Sequence, residues 1–113
     1  MQRNDAVILR GFLAVALYRA GRYEEALRQS RDADPGKLAE LGSCFCRAMA
    51  QHRLGQGREA EQTLRAAREA LERFLHPAAG QPQLPLRARL HLSLLRREAE
   101  ATLAKPPGPP KGP

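Results

Sequence analysis

With 113 residues, the chain has room for one small domain and a modest core. Only 4% of residues are aromatic and Trp is absent, while 42% are hydrophobic; the apolar content is mostly Ala and Leu, which favours helices over sheets. The formal charge of +7 raises nucleic acid as a partner, but sixteen of the nineteen basic residues are Arg in a chain also rich in Ala and Gly, the composition that a GC-rich coding sequence gives any solvated helix face.

The N-terminal stretch "MQRNDAVILRGFLAVALYRAG" has the basic start and apolar run of a signal peptide. Asp5 and Arg10 interrupt the run, its apolar positions keep helical spacing, and no segment reaches the length of a membrane span. The expected location is therefore cytoplasmic, without membrane association.

A first helix is expected from Ala6 to Ala20, capped by Asn4 or Asp5, with Leu9, Leu13, Leu17 and Ala20 as its core stripe. Gly21 sits where a left-handed cap is needed. A second helix runs from Tyr23 to Ala33, with Tyr23, Ala26, Leu27, Ser30 and Ala33 along one side. Asp34-Pro35 reads as an N-cap followed by Pro at the first helical position, which starts a third helix that Gly55 ends. A fourth runs from Arg58 to Leu75 on the stripe Ala60, Leu64, Ala67, Leu71 and Leu75. The prolines and glycine of residues 76–85 predict a loop. A fifth helix, from Pro85 to Ala104, buries Ala88, Leu92, Leu95, Ala99 and Leu103, with Leu86, Leu90 and Leu94 widening the stripe. "KPPGPPKGP", residues 105–113, reads as a disordered Pro/Gly-rich tail.

No catalytic constellation is visible, and the chain is read as a non-enzyme without cofactor. Cys44 and Cys46 on one helix point about 200° apart and cannot bridge each other. With His52 they match no metal spacing, since Cys44 and His52 lie about two turns apart. Glu24, Glu25, Glu98 and Glu100 are expected on solvent faces, pairing with Arg28 and Arg97 or simply solvated. "LGQGRE" lacks the Lys and preceding strand of a phosphate loop.

A shift of 34 residues superposes the chain on itself. Ala14, Ala16, Arg19, Gly21, Glu25, Ala26, Arg31 and Ala33 land on Ala48, Ala50, Arg53, Gly55, Glu59, Ala60, Arg65 and Ala67. Two helices per 34-residue period mark a repeat architecture. On these residues the chain resembles the tetratricopeptide repeat (TPR) family. The small residue of helix A falls on Ala14 and Ala48, the turn glycine on Gly21 and Gly55, and the paired alanines of helix B on Ala26, Ala33, Ala60 and Ala67. Leu13, Leu17, Tyr23 and Leu64 fill large positions. Arg47, Gln51 and Gly57 depart from the pattern. "AMAQHRLGQGREAEQTL" is similar to the TPR tracts that close large bacterial multidomain proteins.

The resemblance implies an all-α fold over residues 1–104. It would be a right-handed α-solenoid of two hairpins, about 6–34 and 35–75, closed by a capping helix at about 85–104. It further implies a protein-protein interaction scaffold that holds a peptide or helix in the concave groove of its A helices. Those groove positions are Phe12, Val15, Tyr18 and Arg19 in the first copy, and Phe45, Cys46, Met49, His52 and Arg53 in the second. Gly11 and Val15 stand where a carboxylate-gripping TPR clamp needs polar groups, which argues against that ligand. An apolar groove with an arginine edge suits an acidic partner with apolar anchors. Two further readings stay open. One is a structural or self-associating terminal segment of a larger kinase- or propeller-linked protein, with room for a homodimer. The other is nucleic-acid binding through the Arg-rich faces, which the scarcity of stacking aromatics disfavours.

Overall fold

The computed structural model describes residues 3–108, with side chains from Leu9 onward. Every regular element among the described residues is a helix: α1 Arg3–Arg19, α2 Tyr23–Ser30, α3 Leu38–Arg53, α4 Gly57–Leu75 and α5 Leu86–Leu103. The all-α expectation holds, and none of these helices is long and apolar enough to cross a membrane.

The two glycine turns match bond for bond. Gly21 and Gly55 both have φ of +82°, which costs a Cβ-bearing residue about 1–2 kcal/mol. In the first turn the N–H groups of Gly21 and Arg22 donate to the carbonyls of Tyr18 and Leu17; in the second, Gly55 and Gln56 donate to His52 and Gln51. This is the Schellman pattern, which satisfies the last carbonyls of each preceding helix and turns the chain back. Each donor and acceptor of the second turn lies 34 residues after its counterpart in the first.

The link between α2 and α3 differs from the expectation. Helix α3 starts at Leu38 rather than Pro35 because Gly36 follows the proline. The Asp34 carboxylate accepts from the Gly36 N–H at 2.8 Å, and the Lys37 N–H donates to the Asp34 carbonyl, so the segment closes as a turn. Helix α2 stops at Ser30, three residues short of the expected end. Arg47 Nη1 lies 3.2, 2.7 and 3.0 Å from the carbonyl oxygens of Ser30, Arg31 and Ala33. A guanidinium at a helix C-terminus satisfies carbonyls that have no intrahelical partner. Arg47, an anomaly as a sequence, is the clasp that ends α2 against α3. At the N-terminus α1 begins at Arg3, ahead of both expected caps.

Helix α3 touches all four other helices. Leu41, Cys44, Phe45, Cys46, Ala48, Met49 and Ala50 are all sealed from solvent. Burial pushes the Cys44 thiol up to about 11, with Arg47 partly opposing, and the Cys46 thiol up to about 12. Helix α4 buries the stripe read from its sequence at Ala60, Leu64, Ala67 and Leu71.

Helix α1 keeps one leucine of its predicted face, Leu17, against the core and turns the rest outward. Ala14 and Tyr18 are buried, whereas Leu9 and Leu13, expected in the core, are 55% and 46% exposed. The cause is the closeness of α1 to α3. A Cβ added at Gly11 would stand 2.9 Å from Ser43 Oγ, so this part of the contact face admits only small residues, Gly11 and Ala14, and Leu9 and Leu13 are left outside.

Helix α5 lies alongside α3 in the same direction. Leu92 and Leu95 near its start pack by Gly42, and Lys105 just past its end reaches His52. Its link to α4 is ionic: Arg96 bridges Glu72 at 2.8 Å and Glu100 at 3.3 Å, and Arg68 also reaches Glu100 at 3.3 Å. Three of the four carboxylates expected to pair with Arg28 or Arg97 have other partners, since Glu98 joins Arg19, Glu25 joins Arg22 and Glu100 joins Arg68 and Arg96. The predicted tail begins with ordered residues. The Lys105 carbonyl lies 2.7 Å from His52 Nε2, and the Gly108 N–H donates to the His52 carbonyl at 3.0 Å. Residues 109–113 lie outside the described residues.

Candidate functional site

Helices α1 and α5 flank α3, and their backbones stay more than 8 Å apart. A furrow runs between them with α3 as its floor. Its two ends differ. At the C-terminal end the gap is bridged: Arg19 Nη2 meets Glu98 Oε1 at 3.1 Å, and the Tyr18 hydroxyl lies 3.5 Å from Thr102 Oγ1. Cys46 is sealed beneath that pair, and the charges of Arg19 and Glu98 act on its thiol.

At the N-terminal end the furrow is open. Its floor is Leu38, Ala39, Gly42 and Ser43; Gly11, Phe12 and Val15 form one wall and Ala88, His91, Leu92 and Leu95 the other. The opening is about 160 Å³. That is below the roughly 300–1,000 Å³ of small-molecule sites, and it suits one or two apolar side chains offered by a larger partner. Phe12 stands at the rim, 58% exposed.

Gly42 makes the floor low. It sits in the second turn of α3, inside the helix, where glycine is weaker than Ala by about 1 kcal/mol. A Cβ there would meet Leu95 Cδ1 at 3.4 Å and His91 Nε2 and Leu92 Cδ2 at 3.9 Å. That is tight but not a backbone clash, so an alanine would fit with a small adjustment of Leu95.

The predicted groove residues separate into three groups. Phe12 and Val15 line the open furrow. Arg19 and Arg53 stand at its closed end: Arg19 holds Glu98, and Arg53 donates to the Tyr18 hydroxyl at 3.2 Å and lies 5.8 Å over the Tyr23 ring. Tyr18, Phe45, Cys46, Met49 and His52 are buried and line no open surface. Helix α5 explains the difference. It occupies the side of α3 that those residues would have offered to a ligand, so they serve as core.

His52 has a structural task instead. A carbonyl can only accept, so Nε2 carries the proton toward Lys105, and buried Nδ1 has no partner among the described residues. Sequence reasoning missed the α5 wall and the α3 floor. The one local signal was Gly42, a glycine inside a helical stripe.

Among the described residues no group of three His, Cys, Asp or Glu is placed to hold a metal ion. Comparison with protein-family models, with curated proteins and with solved structures finds no match.

Proposed function

We propose that the chain is a non-catalytic protein-binding module of the tetratricopeptide-repeat kind. In this reading α1–α2 and α3–α4 are its two stacked hairpins in a right-handed solenoid, and α5 closes the stack. The matching turns at Gly21 and Gly55, related by the 34-residue shift, support the repeat reading. The ligand is a peptide or helix that inserts an apolar side chain over Gly42, between Phe12 and Leu95. The observation that carries the proposal is the half-open apolar furrow, closed at one end by Arg19–Glu98 and open where the floor is glycine.

Placing a photo-crosslinking phenylalanine at position 12 tests it, with the same group at Arg65 on exposed α4 as control. A partner from source-cell lysate that crosslinks at position 12 and not at 65 supports furrow binding. Equal labelling at both positions, or none at 12, contradicts it.

A second reading, a self-associating or structural end-piece of a larger protein, is favoured by the exposed Leu9 and Leu13 of α1. In a stacked array that face is where an upstream helix would pack. A mass that rises with concentration, and falls back when Leu13 becomes Ser, would support it over the first.

A further inference from the structure

Leu86, Leu90 and Leu94 recur at every fourth residue of α5 and are 61%, 55% and 63% exposed. They stand on the side of the helix opposite Leu92, Leu95 and Ala99, which are buried. Sequence reading treats them as a widened core stripe, yet the described chain places nothing over them. At 1.5 Å per residue the ladder is about 12 Å long, enough to seat two turns of a facing helix. Exposed leucines scattered singly need no explanation, but an ordered row of three does.

The charges around the row are one-sided. Arg87 stands beside the first rung and Arg97 one turn beyond the last, and neither makes an ion pair with a described residue. Both carboxylates of α5 are already engaged, Glu98 by Arg19 and Glu100 by Arg68 and Arg96. Helix α4 offers the contrast: its four arginines face four glutamates in number, and it shows no exposed large hydrophobic. A second copy of the chain is a poor match for the α5 face. The other exposed apolar stripe, Leu9, Phe12 and Leu13, has Arg10 beside it and no acidic residue between 9 and 19 to meet Arg87 and Arg97.

We propose that the outward face of α5 docks an acidic amphipathic helix. Aliphatic residues at i and i+4 of the partner interdigitate with Leu86, Leu90 and Leu94, and carboxylates nearly three turns apart meet Arg87 and Arg97. This surface lies outside the furrow and does not depend on what the furrow binds.

The probe is a fluorescein-labelled, alanine-based helical peptide with leucines at i, i+4 and i+8 and glutamates at its other exposed positions. Its control carries lysines in place of the glutamates. Binding to the full chain is read by fluorescence anisotropy, after circular dichroism shows equal helicity for every variant. The glutamate peptide binds and the lysine peptide does not. Leu90→Ser, or Arg87→Glu with Arg97→Glu, weakens binding about tenfold or more, added salt weakens it further, and Phe12→Glu leaves it unchanged.

Equal binding of the two peptides, no binding of the glutamate peptide, or indifference to Leu90→Ser overturns the proposal. If Phe12→Glu abolishes binding while Leu90→Ser does not, the peptide sits in the furrow: this proposal falls and the furrow reading gains. Sedimentation of the chain alone gives a monomer. A dimer that Leu90→Ser returns to monomer would make a second copy the occupant and overturn the acidic helix.

Discussion

Helices α3 and α5 have similar lengths and similar apolar content, and they end in different circumstances. Neighbours enclose α3 beyond the open furrow floor at its start, so even its thiols, its methionine and its one histidine are inside. Helix α5 is covered along Leu92, Leu95 and Ala99 and bare along Leu86, Leu90 and Leu94. Both carry apolar residues on two faces. Only the neighbours decide which faces become core, because α3 packs against all four other helices while α5 packs along α3 and α4 alone. The same holds for α1, bare at Leu9 and Leu13. The surfaces with binding potential are therefore the uncovered sides of α1 and α5 and the gap between them.

The largest effect expected from this contrast comes from Phe45, the largest fully buried side chain. Phe45→Ala should cost about 3–5 kcal/mol, close to the whole stability of so small a domain, and urea titration should find the variant largely unfolded. Next come the thiols, whose effect appears only in alkali. Burial raises both above the ordinary 9.0, so the neutral thiols favour the fold fully below about pH 9. That contribution is lost as pH rises through about 11 and 12. The urea midpoint of the native chain should fall above pH 9 more steeply than that of a Cys44→Ala, Cys46→Ala variant; parallel curves would place the thiols nearer solvent.

Smaller again are the two turns. Gly21→Ala and Gly55→Ala should each cost about 1–2 kcal/mol, and the two values should agree if the turns are equivalent. The smallest effect belongs to the bare face of α5. Leu90→Ser should change stability by no more than about 0.5 kcal/mol, while Leu92→Ser, two residues away, should cost several-fold more. Similar costs for the two would mean that α5 is covered on both sides and would erase the contrast with α3.

Much of this arrangement is legible locally. Helical spacing and two glycines mark the number of helices and both tight turns, because a Schellman cap needs nothing beyond its own few residues. The buried stripe of α4 is legible for the same reason, being amphipathic with charge opposite. Helix α1 misleads because size and burial part company there: close approach to α3 selects Gly11 and Ala14 and leaves leucines outside. The start of α3 misleads because Gly36 turns an apparent proline start into a closed turn. The groove positions on α3 mislead most. Nothing near Phe45, Cys46, Met49 or His52 in sequence says that α5 and the residues just after it, about fifty positions on, will cover them. Phe12 and Val15 line the open furrow because no hydrogen bond or ion pair among the described residues joins α1 to α5 at their end.

The measurement that tests the furrow most directly combines the photo-crosslinker at position 12 with Gly42→Leu. The leucine fills the floor and pushes on Leu95, which a Cβ at position 42 already meets at 3.4 Å. The added helix propensity offsets part of that cost, and Gly42→Ala, which fits with a small adjustment, is the control for folding. The account predicts that crosslinking of the partner falls about tenfold or more while circular dichroism is unchanged. Undiminished crosslinking with the floor filled would mean that the partner does not enter the furrow over Gly42.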